Sequence, residues 1–141
     1  MKTILPYFLF CLPLHHLSST SAYGFRIHPI TRQYRFHNGI DLRASRDTVF
    51  AISDGNAQIG YDDLLGVYIK IKDEKLVCTY GHLSAILIGA GPVTSGQPIA
   101  ITGATGRVTG EHLHLSISYD GRPLDPLKFL YQLMIKSNNH E

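Results

Sequence analysis

The chain of 141 residues has no tryptophan, two cysteines and two methionines, and Asp, Glu, Lys and Arg together make up only 17% of it. Each scarcity removes a class of protein. Two cysteines, Cys11 and Cys78, cannot build the disulfide framework of a small secreted scaffold. The charges nearly balance at +2, and no basic run or stripe occurs, so no nucleic-acid partner is expected. A weakly positive surface is compatible with an anionic one such as a cell wall. No apolar run reaches the roughly eighteen residues that a membrane helix needs. The H-E-x-x-H signature is missing, and no G-K-[ST] closes "GATGRVTG" into a phosphate loop. The G-x-G of "IGAGPVTSG" runs into Pro92 and β-rich sequence, not into the helix that a dinucleotide fingerprint requires.

What is present fits one domain with a true core, since 44% of the residues are hydrophobic. Residues 1–17 open with a lysine and about twelve mostly apolar residues, which reads as an export leader and places the mature protein in the periplasm or cell envelope. The opposing reading is a tail or strand that packs on the domain. The domain is expected over 18–135, with a frayed tail at 136–141. Turn signals recur at short intervals, as in an all-β domain. "GVYIKIKD" alternates, with Val67, Ile69 and Ile71 on one face, and "KLVCTYGHL" is its hairpin partner across Asp73-Glu74. "TVFAI", "NAQIGY", "PIAITG" and "HLHLSISY" are further strands. Only the C-terminus reads as helix: Asp125 can cap it, Pro126 suits its first turn, and Leu127, Leu130, Tyr131 and Met134 share a face. The fold class is therefore mainly β, an antiparallel sheet domain with a short C-terminal helix. Cys78 is expected to be a lone buried thiol.

Eight histidines are many for this length. In "GEHLHLSI" a strand would aim His112, His114 and Ser116 at one face, and Leu113, Leu115 and Ile117 at the core. In "FHNGIDL", His37 and Asp41 stand four apart and share a face on either a helix or a strand. Together with one of the paired histidines they make a His₂Asp set. Such a set suits a catalytic Zn²⁺, with three protein ligands and one open position. The other histidine is then free for proton transfer or for stabilising developing charge. Spacing does not say which of His112 and His114 is which. "TYGHLS" adds His82, and in an extended chain Tyr80 would share its face and line the same groove. Asn38 and His28 are further groove candidates. His15 and His16 are expected to face solvent.

The stretches "SAYGFRIHPITRQYRFHNGIDLRA", "YGHLS" and "ITGATGRVTGEHLHLSI" resemble the lysostaphin/LytM-type zinc metallopeptidases of family M23, over about Ser18 to Leu130. The resemblance implies a groove across a mainly antiparallel β domain. It also implies one zinc held by His37, Asp41 and His114, with His82 and His112 catalytic. One of the latter would deprotonate or orient water, with a lean towards His112. The other would stabilise the oxyanion or protonate the leaving amine. The implied substrates are the stem peptides of bacterial peptidoglycan, with the D-alanyl–diaminopimelate cross-link favoured over Gly-Gly. A monomer is expected. Glu111, where the family often has proline or a small residue, is expected to point away from His112. Arg32, where relatives often have glycine, suggests a slightly different turn. The alternatives are a catalytically inactive relative that regulates wall hydrolases, and a sugar-transport phosphocarrier of similar architecture.

Overall fold

A computed structural model describes residues 11–138. The apolar start of the expected leader (1–10) and the last residues of the expected tail (139–141) lie outside the described residues. The strands are β1 (Ser19–Ser21), β2 (Gly24–Ile27), β3 (Tyr34–His37), β4 (Ile40–Arg43), β5 (Thr48–Phe50), β6 (Gly55–Asp62), β7 (Gly66–Asp73), β8 (Leu76–Ile86), β9 (Gly91–Val93), β10 (Pro98–Thr102), β11 (His112–Tyr119) and β12 (Arg122–Leu124), followed by helix α1 (Pro126–Asn138). Every pairing is antiparallel, as short connections between neighbouring strands allow.

The main sheet runs β1-β4-β11-β8-β7-β6-β9, with β10 joining β8 to β5 and β12 on β11. Strands β2 and β3 form a separate hairpin. The site-bearing strands β4, β11 and β8 are therefore adjacent. Along β11 burial alternates: Leu113, Leu115 and Ile117 are closed off in the core while His112, His114 and Ser116 stay partly open on the other face. One face of the sheet holds the core, including Ile40, Leu42, Ile69, Ile71, Cys78 and Ile99. Cys78 is a free, buried thiol, pushed up to about 12 by burial.

Three details depart from the sequence expectations. Tyr80 is fully buried and lines no groove; its hydroxyl accepts the Ile52 N–H at 2.9 Å. The cause is a β-bulge: Ile69 pairs Tyr80 and Val67 pairs Leu83, so β8 holds one more residue than β7 across this step. His82, at φ 61, is next to that irregularity, and the alternation slips there. Tyr80 and Leu83 both face the core and His82 faces the site. The inward stripe of α1 is Pro126, Phe129, Leu130 and Leu133, whereas Leu127, Tyr131 and Met134 are exposed. The β7–β8 turn is Glu74-Lys75, one residue later than expected, with Glu74 at φ 55. Asp125 does cap α1, accepting N–H bonds from Leu127 at 3.0 Å and Lys128 at 3.4 Å.

Residues 11–17, part of the expected leader, pack on the domain. Leu14 is 3% exposed within the core, Cys11 N–H donates to Ile52 O and Phe50 N–H to Pro13 O. His15 and His16 are exposed. Among the described residues no helix is long and apolar enough to cross a membrane.

Candidate metal centre

His37 ends β3, Asp41 lies on β4 and His114 on β11, and the β4–β11 register sets His114 directly opposite Asp41. The link between β3 and β4 is Asn38-Gly39, and space is the reason for the glycine. A Cβ at Gly39 would stand 2.9 Å from His114 Cε1 and would overlap the Leu115 carbonyl. The ring of His114 is thus seated against bare backbone.

Three donor atoms converge. His37 Nε2 lies 3.3 Å from His114 Nδ1 and 3.5 Å from Asp41 Oδ1, and His114 Nδ1 lies 3.1 Å from Asp41 Oδ1. Donor atoms bonded to a tetrahedral zinc at about 2.0–2.1 Å stand about 3.3–3.4 Å apart, so this triangle has the right size. Its chemistry also asks for a cation. His37 Nδ1 is 3.0 Å from the Ala22 carbonyl, which can only accept, so Nδ1 carries the proton. In neutral His37 the Nε2 lone pair then faces the Asp41 carboxylate. Burial alone would raise the Asp41 carboxyl, but hydrogen bonds from the His114 and His37 rings when these carry a second proton, and the charge of His112, outweigh it and hold it well below the usual carboxylate range. An ionised oxygen facing an imidazole lone pair is stable only with a proton or a metal between them. Among the described residues, His37, Asp41 and His114 are the group whose donor atoms could close on one ion, all within 4.8 Å.

His82 and His112 flank this triangle, their rings edge to face with centroids 4.7 Å apart. Each is fixed by a carbonyl: His82 Nδ1–H donates to Thr105 O at 2.8 Å and His112 Nδ1–H to Gly110 O at 2.9 Å. Both therefore turn Nε2 free of its proton when neutral. His112 Nε2 lies 3.5 Å from Asp41 Oδ1. Burial is the main cause that lowers His82, to about 4, with the neighbouring histidines adding to it, so its neutral form holds near pH 7. The positive φ of His82 is one that histidine adopts more readily than most residues, and its backbone N–H is anchored on Leu65 O at 2.7 Å.

The five residues open onto a cavity of about 460 Å³, which Asn38 and His28 also line. A second hollow of about 280 Å³ adjoins it through Asn38, Leu65 and Ser116. His28 also braces its own turn: its Nδ1 accepts the N–H of Ile30 and of Thr31, both at 3.2 Å. In that turn Arg32 takes φ 60, a conformation glycine adopts freely. Glu111 turns away from His112, its carboxylate accepting the Arg46 N–H at 2.7 Å.

Sequence reading missed two contributors. Thr105 supplies more than its carbonyl: its hydroxyl donates to Leu83 O at 2.7 Å and accepts from Val67 N–H at 3.1 Å, which ties the loop after β10 to the bulge. No sequence pattern marks a backbone acceptor. The other is Arg26, on the cavity wall with Nη2 4.0 Å from Asp41 Oδ2. The alternation of "FRIH" places it on the face of His28, and that was the available signal.

Residues 35–126 match peptidase family M23. The chain belongs to that family. It is 38% identical over 118 residues to the DD-carboxypeptidase/endopeptidase Mpg of Neisseria meningitidis serogroup B, covering 82% of this chain and 27% of the relative. It is 38% identical over 107 residues to the peptidoglycan DD-endopeptidase ShyA of Vibrio cholerae, covering 73% and 25%. Among solved structures, that of a zinc-containing peptidase from Vibrio cholerae superposes with a TM-score of 0.73 at 34% identity, covering 83% of this chain and 39% of that one. The chain spans about a quarter of the length of these curated relatives. The M23 membership agrees with the mainly antiparallel β domain described above.

Proposed function

We propose that this M23 domain is a zinc-dependent endopeptidase that hydrolyses peptide cross-links of bacterial peptidoglycan. The observation that carries the reading is the donor triangle of His37, Asp41 and His114 beside two further histidines whose Nδ1 atoms are engaged by backbone carbonyls, which leaves Nε2 as the free ring nitrogen of each. Relatives named as DD-endopeptidases favour the D-alanyl–diaminopimelate cross-link over Gly-Gly and a place in the cell envelope.

His37 Nε2, Asp41 Oδ1 and His114 Nδ1 would hold one zinc ion per chain. When bound, the ion supplies a Lewis acid for the scissile carbonyl and brings the pKa of water to roughly 7. The remaining work falls to side chains. His112, with Nε2 turned to the triangle, takes the proton of the attacking water. His82, held neutral and aimed by Thr105, lies against His112. A proton gained at Nε2 of either imidazole can be returned to the leaving amine. The two rings share in this way the duty that a glutamate has in H-E-x-x-H enzymes. Burial of Asp41 and His37 limits water around the charges, which strengthens every polar contact at the reacting centre.

The inactive-regulator reading is disfavoured by the complete set of five side chains. The test is digestion of purified peptidoglycan by the zinc-loaded protein, with mass spectrometry of the products. Cleavage should give new amine and carboxyl ends within cross-links; intact cross-links after prolonged digestion, with zinc bound, would refute the reading.

A further inference from the structure

The Arg26 side chain is only 22% exposed, and its Nε has no hydrogen-bond partner among the described residues. Its Nε is shut off from solvent without an acceptor, and its nearest carboxylate oxygen, Asp41 Oδ2, is 4.0 Å from Nη2, beyond hydrogen-bond reach. Asp41 is already engaged by three imidazoles at Oδ1. Directly opposite Arg26 on the β2–β3 hairpin stands Arg35, a like-charge cross-strand pair that costs stability in isolation. Arg35 is occupied by Gln33 Oε1, at 2.6 and 3.1 Å. Arg107 lines the same cavity, so three guanidiniums face one carboxylate there. His28, among them, is lowered by burial and by all three arginines, which marks a shared positive potential. A largely buried guanidinium whose Nε is unsatisfied, and whose one carboxylate neighbour stands at 4.0 Å, has room for a further anion, and Arg is the side chain suited to bind a carboxylate with two parallel hydrogen bonds.

We propose that Arg26 binds a carboxylate of the substrate next to the scissile bond, within the positive field of Arg35 and Arg107, and is thereby a specificity-determining residue. The position follows from Asp41, which offers Oδ1 to the ligand triangle and Oδ2 towards Arg26, so that one carboxylate group separates the guanidinium from the reacting centre. The proposal rests on the peptidase reading for the nature of the ligand. The carboxylate has two sources in a stem peptide, the chain end and the free side-chain carboxylate of diaminopimelate.

The experiment is calorimetric titration of the zinc-loaded protein with a synthetic stem peptide ending in diaminopimelate and D-alanine. It is used with both carboxylates free and in two singly amidated forms. For the unaltered protein, amidation of one of the two should weaken binding about tenfold or more, the usual worth of a charge-assisted hydrogen bond, and which one it is identifies the source. Arg26→Gln should bind all three peptides alike, Arg26→Lys should keep part of the preference, and both should keep one zinc per chain and an unchanged melting profile. A wild-type preference retained in Arg26→Gln would overturn the proposal. So would loss of zinc from that variant, which would mean that Arg26 acts only through Asp41, or failure of the unaltered protein to distinguish the peptides. If peptidoglycan is not cleaved but Arg26-dependent carboxylate binding persists, the peptidase reading fails and the binding site stands.

Discussion

Gly39→Ala isolates how the backbone seats the proposed metal ligand His114. The φ of Gly39 lies outside the left-handed region, so the substitution is a question of space alone. The added methyl would overlap the Leu115 carbonyl and sit 2.9 and 3.0 Å from Cε1 and Nε2 of the His114 ring. The carbonyl belongs to β11 at its pairing with Ile40, so it cannot give way without opening the β4–β11 ladder. Overpacking of this kind costs about 1–3 kcal/mol. For a domain of this size that is a fall in Tm of about 4–12 °C. The easier adjustment is a tilt of the His114 ring, which moves Nδ1 off the triangle. Disturbing what orients a ligand typically weakens metal affinity by about 10–100-fold. The assays are thermal unfolding in EDTA and zinc competition against a chromophoric chelator. Gly89→Ala is the control, since nothing lies within 4 Å of its Cβ position; it should match the wild type in both. Wild-type zinc affinity in Gly39→Ala would refute the claim that this contact seats His114.

Two further outcomes follow from burial. Tyr80→Phe removes the acceptor of a buried N–H of Ile52 and should cost about 1–3 kcal/mol in urea unfolding. It should leave kcat on peptidoglycan unchanged, because Tyr80 faces the core; a specific loss of kcat at full stability would restore it to the groove. His82 gives the metal-free protein a pH dependence. Its folded pKa, about 4, lies below the ordinary value of 6.5, so the unfolded chain takes the proton first as pH falls. Stability is full above pH 6.5 and is lost as pH drops through 4, by about 2 kcal/mol once solvent screening is allowed for. Urea unfolding at pH 7 and pH 4, with His82→Asn as the comparison, measures it; an equal loss in His82→Asn would contradict the assignment.

Local alternation made much of this molecule legible. Strands β7 and β11 each carry a regular apolar face, and the structure buries those faces. The cap at Asp125 was readable because an acceptor before a proline-led helix has few other uses. The errors arose where a pattern had more than one solution. Helix α1 is apolar on two sides, and its docking on β11 and the core, not its spacing, selects Phe129, Leu130 and Leu133. Tyr80 was misplaced because one inserted residue in β8 reverses the faces beyond it, and a bulge is defined by the partner strand, which spacing along one strand does not reveal. The donor triangle was half legible. His37 and Asp41 are neighbours in the chain, but their meeting with His114 is made by the β4–β11 register. Arg26 was not legible, because whether a buried guanidinium nitrogen finds an acceptor is decided by the folded hairpin and not by spacing.

The division of labour along β11 is the central claim, and zinc content measured beside cleavage tests it most directly. His114→Ala should lose both bound zinc and peptidoglycan cleavage. His112→Ala should retain one zinc per folded chain and lose cleavage by orders of magnitude. Zinc lost from His112→Ala but retained by His114→Ala would contradict the account.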